Sequence, residues 1–138
     1  MDCLFCKIIK KEIPAEIIYE DENAVGFLDV NPRAPGHTMV LPKVHVETIS
    51  DLANNLNSPF LESVKSSIAL LKKALAPDGF TIGINHGKAA GQAIEHLHLH
   101  IIPRYKDDGG QSLHGIVNNV PKESLQKIRE RITETKNT

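Results

Sequence analysis

The sequence has no tryptophan, only two cysteines, and aromatic residues at just 4% of its 138 positions. The two cysteines are three positions apart and nothing points to secretion, so we do not expect a structural disulfide. No apolar run approaches the roughly 20 residues that span a bilayer, and the N-terminal MDCLFCKIIKKE does not resemble a signal peptide. These absences predict a cytoplasmic protein that does not enter a membrane.

Neither positive nor negative charge is in large excess. The sequence has 16 Lys and Arg residues and 17 Asp and Glu residues, for a net charge of −1. We therefore expect no general affinity for nucleic acid or for anionic lipid. The hydrophobic fraction of 41% and the charged fraction of 24% are ordinary for a globular protein. A chain of this length is predicted to fold as one domain over residues 1–138.

The pattern of predicted elements is typical of an α+β fold. Strand candidates are 16–19, 24–29, 37–41, 80–85 and 96–102, and the short turns between the first three favour antiparallel pairing. Segment 7–14 is predicted to be a short helix, 103–120 a loop and 124–135 a polar helix. A longer helix should begin at Ser58-Pro59 and bury the residues that recur at spacings of three and four: Leu61, Val64, Ile68, Leu71 and Leu75.

The stretch HLHLHII, residues 96–102, places three histidines on alternate positions. On a strand, residues two apart share a face, so His96, His98 and His100 should line a surface or cleft while the intervening residues join the core. A solvated strand face is the plainest interpretation. A zinc site and nucleophilic catalysis by one imidazole are the two others. Spacing alone does not choose between them.

The turn NHGKAAGQ, residues 85–92, precedes the histidines. Its backbone N–H groups and the Gln92 amide suit phosphate oxygens, although a plain hairpin turn has the same composition. Asn85, Gly91-Gln92 and HLHLHII together resemble the signature of the histidine triad (HIT) family, His-φ-His-φ-His-φ-φ with φ apolar. Segment 7–37, KIIKKEIPAEIIYEDENAVGFLDVNPRAPGH, resembles the N-terminal half of its Hint-like branch.

The resemblance covers about residues 3–104 and leaves a loop and a C-terminal helix over 105–138. It implies an α+β fold with a five-stranded antiparallel sheet, one long and one or two short helices, and a homodimer. It also implies hydrolase or transferase chemistry at the α-phosphate of a purine nucleotide conjugate, such as adenosine 5′-monophosphoramidate. The chemistry needs no catalytic metal or organic cofactor.

Carried over to this sequence, the resemblance makes His98 the nucleophile, which would form a transient nucleotidyl-histidine. Neutral imidazole is available near pH 7 because its ordinary pKa is about 6.5. His100, Gln92 and Asn85 would contact phosphate or leaving-group atoms, and His37 would complete the histidine cluster. Asp29 would accept hydrogen bonds from the ribose hydroxyls. The base would lie among apolar side chains that are otherwise core candidates: Phe5, Ile8 and Phe27.

The pair Cys3-Leu-Phe-Cys6 resembles a zinc-bearing subset of the superfamily, which includes the galactose-1-phosphate uridylyltransferases. There the ligands would correspond to Cys3, Cys6, His45 and His96. Such a Cys₂His₂ set is a closed structural site with no open position for substrate. The alternative is a pair of buried thiols without a metal.

Two departures from the Hint-like pattern bear on substrate choice. Ala93 stands where many Hint-like proteins have a Ser or Thr whose hydroxyl reaches the scissile bond. The C-terminal segment also lacks the Trp-Pro-Pro-Gly sequence found in the tail of the animal Hint proteins. His86 and His114 match no functional position. Three alternatives remain open: a diadenosine polyphosphate hydrolase, a nucleotide-binding regulator with incidental turnover, and a metal-dependent hydrolase that uses all three histidines as ligands.

Overall fold

The computed structural model describes residues 2–135. Its helices and strands follow in the order α1 (Leu4–Ile9), β1 (Ile17–Glu20), β2 (Ala24–Leu28), β3 (Thr38–Pro42), α2 (Asn57–Leu75), β4 (Gly79–Gly83), β5 (Leu99–Arg104) and α3 (Leu125–Glu134). The five strands form one antiparallel sheet in the order β1-β2-β3-β5-β4. The predicted α+β class and five-stranded antiparallel sheet are confirmed. Within residues 2–135, no helix is long and apolar enough to cross a bilayer.

Helix α2 covers one face of the sheet and builds the larger core. Its buried face is shifted from the predicted one: Leu61 and Leu75 are 57% and 42% exposed, whereas Phe60 and Ser63 are buried. Ser63 is tolerated there because its hydroxyl donates to the Asp21 carboxylate at 2.6 Å. A prediction based on the spacing of apolar residues does not identify a polar residue such as Ser63, which can be buried because its hydroxyl is hydrogen-bonded. The core comprises Ala24, Val40, Leu52, Phe60, Val64, Leu71, Leu97, Leu99 and Ile101.

Helix α1 covers the opposite face and builds a second, smaller cluster. It begins at Leu4, ahead of the predicted 7–14, because the Cys3 thiol caps it by accepting the Cys6 N–H at 3.4 Å. Lys11, with φ of 65°, follows its end. The apolar residues buried in this cluster are Phe5, Ile8, Val25, Phe27, Met39 and Leu41.

The histidine strand is shorter than predicted. Pairing of β3 with β5 extends only to Val40 opposite Leu99, so regular structure in β5 starts at Leu99 and not at His96. Before that point, the Leu97 N–H donates to the Val46 carbonyl at 2.7 Å. The chain is thus held by the loop after β3. His98 and His100 still face the α1 side, because Met39 of the α1 cluster lies directly opposite His100.

Candidate active site and metal centre

Four side chains that are far apart in sequence meet between α1 and the loop after β3. Cys3, Cys6, His45 and His96 each offer one ligand atom, and these atoms all lie within 4.8 Å of one another. The Cys6 Sγ is 3.3 Å from His45 Nδ1 and 3.6 Å from His96 Nδ1, and the Cys3 Sγ is also 3.6 Å from His96 Nδ1. The two Nδ1 atoms are 3.2 Å apart. These four residues are therefore capable of holding a metal ion together.

The separations match the edges of a tetrahedron around zinc. With Zn–S near 2.3 Å and Zn–N near 2.05 Å, a tetrahedral site has S···N edges of about 3.5 Å and N···N edges of about 3.3 Å. The tautomer of His96 also fits, because its Nε2–H donates to the Pro42 carbonyl at 2.9 Å and leaves a lone pair on Nδ1. Burial raises the pKa of the Cys6 thiol, so a cation beside it would favour the thiolate that burial disfavours.

His98 lies next to this cluster and only 7% of it is exposed. Its Nδ1–H donates to the main-chain carbonyl of His96 at 2.7 Å. The neutral ring therefore carries its lone pair on Nε2. Phe5 packs edge-on against the same ring, with centroids 5.1 Å apart and planes at 83°. The hydrogen bond and the aromatic wall together fix the orientation of a potential nucleophile.

A second cluster joins His37, His100 and Asp29. The Arg33 main-chain N–H donates to His37 Nδ1 at 3.0 Å, so the neutral His37 ring holds its proton on Nε2. That proton points at His100 Nδ1, 2.9 Å away. The neutral His100 ring in turn holds its own proton on Nε2, where it is available as a hydrogen-bond donor. The Asp29 carboxylate lies 3.5 Å from His37 Nε2 and 3.9 Å from His100 Nδ1.

Burial keeps the imidazoles of the second cluster uncharged at neutral pH. Burial, reinforced by the neighbouring His98 and His37 rings and opposed by Asp29, lowers the pKa of His100 to about 4. Burial also lowers the pKa of His37, with Asp29 opposing and the Arg33 charge adding to the effect. The cluster therefore offers hydrogen-bond donors and acceptors near pH 7 but no positive charge.

Gln92 and Asn85, predicted to contact phosphate, lie on the turn before the histidines. The Gln92 amide is already bonded to main chain: its oxygen accepts the Gly87 N–H at 2.8 Å, and its nitrogen donates to the Glu47 carbonyl at 2.7 Å. Gln92 thus holds the turn in shape. Asn85 is exposed and rests against Gly91, whose φ of 101° is suited to glycine. A phosphate contact by either residue stays a prediction.

The residues predicted to surround the base are Phe5, Ile8 and Phe27. All three are at most 6% exposed and belong to the α1 cluster, and Phe5 and Phe27 meet edge to face with centroids 5.6 Å apart. Their role in base binding stays a prediction. His86 and His114 are exposed and belong to neither cluster, in line with their lack of a sequence match.

Some contributors to the site have no sequence signal. The Pro42 and His96 carbonyls and the Arg33 N–H set the tautomers of three histidines, yet any residue type supplies these main-chain groups. Arg33 also lines two surface cavities, one of which includes His37. Only its place in the run NPRAPGH hinted at a location near the first predicted active-site histidine.

Residues 10–107 match the HIT domain family. The chain belongs to that family. It is 46% identical over 125 residues to a HIT-like protein of Methanocaldococcus jannaschii, covering 91% of this chain and 96% of the relative. It is 31% identical to adenosine 5′-monophosphoramidase of Schizosaccharomyces pombe, covering 96% and 97% of the two chains.

The HIT fold is also shared with solved structures. The crystal structure of SMU.412c from Streptococcus mutans is similar with a TM-score of 0.84 and 32% identity, over 99% of this chain and 83% of that one. The fold of this chain is therefore shared with solved structures, and the predicted resemblance to the HIT family is confirmed.

Proposed function

We propose that this HIT protein is a nucleotide hydrolase or transferase that cleaves a purine nucleotide conjugate at its α-phosphate through His98. The observation that carries this proposal is the hydrogen bond from His98 Nδ1 to the His96 carbonyl at 2.7 Å. It commits the neutral ring to a lone pair on Nε2 and holds the ring in place. A side chain needed only to bind phosphate would instead present a donor.

The reaction consists of two displacements at phosphorus. His98 Nε2 attacks the α-phosphorus, the bond to the leaving group breaks, and the nucleotide is carried on the imidazole. Water then attacks the same phosphorus, the N–P bond breaks, and free AMP leaves. With a phosphoramidate, the leaving amine takes up a proton from solvent in the first step, and the attacking water gives a proton back to solvent in the second. His100 Nε2–H stabilises charge on the phosphate oxygens in both steps.

Intact-protein mass spectrometry after a quench without acid tests this role directly. With adenosine 5′-phosphoramidate, the wild type should gain the mass of one adenylyl group, which is AMP less one water, while His98→Ala and His98→Gly gain none. His114→Ala, which removes an exposed histidine outside both clusters, should still form the adduct. Continued turnover by His98→Ala without an adduct would remove His98 from the mechanism.

We further propose that Cys3, Cys6, His45 and His96 bind a structural zinc ion. The support is the match between their separations and a tetrahedron and the free lone pair on His96 Nδ1. Zinc held this way would have four protein ligands and would stabilise the fold, leaving His98 free. Metal analysis of purified protein should return about one zinc per chain, and a metal-free chain with unchanged stability would contradict the assignment.

A diadenosine polyphosphate hydrolase differs only in its leaving group and uses the same His98 chemistry. A hydrolase with a catalytic metal on all three histidines is disfavoured, because His96 Nδ1 faces Cys3, Cys6 and His45 while His100 belongs to a separate cluster with His37 and Asp29. A regulator with incidental turnover would bind nucleotide without accumulating the His98 adduct. We also propose a homodimer, which sedimentation equilibrium would establish or exclude, and a cytoplasmic location.

A further inference from the structure

The loop that joins β2 to β3 is held rigidly beside the histidines. Its ends are tied by the Asp29 N–H donating to the His37 carbonyl at 2.8 Å, and its interior by the His37 N–H donating to the Ala34 carbonyl at 3.1 Å. The Tyr105 hydroxyl donates to the Pro35 carbonyl at 3.0 Å, and Pro32 and Pro35 restrict the backbone further. The Arg33 N–H is fixed on His37 Nδ1. Arg33 is therefore presented from a preorganised segment.

The Arg33 side chain carries a charge that nothing in residues 2–135 neutralises. It is exposed and makes no hydrogen bond or ion pair with the described part of the chain. On one side it lines a cavity with Asp29 and His37. On the other it lines a cavity of about 320 Å³ with Thr81, Ile102 and Arg104.

Arg104, the other arginine that lines the cavity with Thr81 and Ile102, differs from Arg33 in this respect. Its guanidinium donates to both carboxylate oxygens of Asp108 at 2.8 and 3.0 Å, to the Thr81 hydroxyl at 3.0 Å and to the Gln111 carbonyl at 2.7 Å. Asp108 balances its charge. Arg33 is thus the uncompensated cation of the cavity wall.

The sheet leaves open space between His100 and this cavity. Gly83 lies directly opposite His100, and Thr81 lies opposite Ile102. Directly opposed residues share a face of the sheet, so small residues of β4 run beside the histidine strand. A Cβ atom at Gly83 would meet nothing within 4 Å. A ligand at the histidine cluster can therefore extend along β5 toward Arg104, past Arg33.

We propose that Arg33 binds a second anionic group of the nucleotide substrate, a phosphate or sulfate in addition to the α-phosphate. This inference rests on the proposed function, since it concerns the substrate of the same site. The histidine cluster supplies donors without net charge, and Asp29 adds a negative charge. A substrate with one more anion needs a cation, and the planar guanidinium suits an oxyanion because it can donate two parallel hydrogen bonds.

The second anion can come from two parts of a nucleotide. In the leaving group it would lie along β5, in the cavity that holds Ile102 and Thr81. On the ribose it would lie in the cavity that holds Asp29 and His37. Since Arg33 borders both cavities, the two sources are distinguished by experiment.

Equilibrium binding of three ligands tests the inference without requiring turnover. Wild-type protein is titrated calorimetrically with AMP, ADP and adenosine 3′,5′-bisphosphate. AMP has no second phosphate, ADP has one beyond the α-phosphate, and the bisphosphate has one on the ribose. We expect one of the two doubly phosphorylated ligands to bind about tenfold more tightly than AMP. Arg33→Gln should abolish that preference, and Arg33→Lys should retain part of it.

The substitution is selective because the contact to His37 uses the Arg33 main chain, which glutamine retains. Arg129→Gln, the same change on exposed α3, serves as the matched control and should keep the wild-type preference. A preference for ADP assigns the leaving-group side, and one for the bisphosphate assigns the ribose side. Equal binding of all three ligands, or an unchanged preference in Arg33→Gln, overturns the inference.

The proposed nucleophile His98 and the proposed anion contact of Arg33 can be refuted independently of each other. Absence of an AMP adduct on His98 would refute the nucleophile while leaving the ligand preference of Arg33 measurable. A normal adduct with no preference would refute Arg33 alone.

Discussion

Acid should destabilise this protein partly through one partly buried imidazole, that of His100. Only 19% of its side chain is exposed, and burial together with the His98 and His37 rings lowers its pKa to about 4, with Asp29 acting in the opposite direction. In the unfolded chain the same group has an ordinary pKa of about 6.5. The unfolded state therefore binds a proton at a pH where the folded state does not.

The sign follows from this difference. Stability from the neutral His100 is fully present above pH 6.5 and is lost progressively as the pH falls toward 4. A difference of about 2.5 pKa units at 1.36 kcal/mol each corresponds to about 3 kcal/mol of unfolding free energy over that window. That is a large share of the roughly 5–15 kcal/mol typical of a domain.

Urea unfolding between pH 7.5 and pH 4 measures the effect in the wild type and in His100→Asn, which keeps a polar group but cannot titrate. The loss of unfolding free energy on acidification should be about 3 kcal/mol smaller in the variant. Protonation of Cys3, Cys6, His45 and His96 contributes equally to both proteins and cancels in the difference. His114→Asn, at an exposed position, should behave like the wild type. Equal pH dependence of wild type and His100→Asn would refute a neutral, partly buried His100.

Two further predictions concern the framework around the site. Cys6→Ser replaces one proposed zinc ligand, so bound zinc should fall well below one per chain and the melting temperature should drop. Ser66→Ala, a change at an exposed serine, is the control and should alter neither quantity. Unchanged zinc content in Cys6→Ser would exclude Cys6 as a ligand. Gly36→Ala should cost on the order of 2 kcal/mol in urea unfolding, because Gly36 has φ of 88° and an added Cβ would collide with Leu75. Gly79→Ala, where a Cβ meets nothing within 4 Å, is the matched control, and equal stability of the two variants would contradict the proposed clash.

The sequence predicted those features that depend on side-chain type. Alternating histidines and leucines indicated two faces, and Leu97, Leu99 and Ile101 are indeed core. The resemblance to a zinc-bearing subset of the superfamily indicated Cys3, Cys6, His45 and His96, which the fold brings together. Element ends were less accurate: β5 begins at Leu99 because the loop after β3, and not β3 itself, receives the Leu97 N–H. Such pairing depends on tertiary geometry that no local pattern encodes.

Prediction also failed where main-chain groups determine the chemistry. Strand alternation predicted that all three histidines line a surface or cleft, but His96 is fully buried, with an exposed fraction of 0%. Its neighbours Pro42 and Cys6 lie 54 and 90 positions away in the chain. A pattern of residue types in the sequence can identify a histidine as important. The tautomer of that histidine depends on the main-chain carbonyl or N–H that the fold places beside it.

Residue 96 links the two halves of the site. Its imidazole faces the proposed metal ligands, and its carbonyl accepts the His98 Nδ1–H. The next residue, Leu97, is anchored by the Val46 carbonyl on the loop that carries His45. Any movement of the His96 main chain therefore changes the orientation of His98. Within residues 2–135, the His98 side chain makes no hydrogen bond to the side chain of any proposed metal ligand. A metal bound by the four proposed ligands would hold in place the His96 carbonyl that accepts the His98 Nδ1–H, whereas the lone pair proposed to attack phosphorus belongs to the His98 imidazole alone.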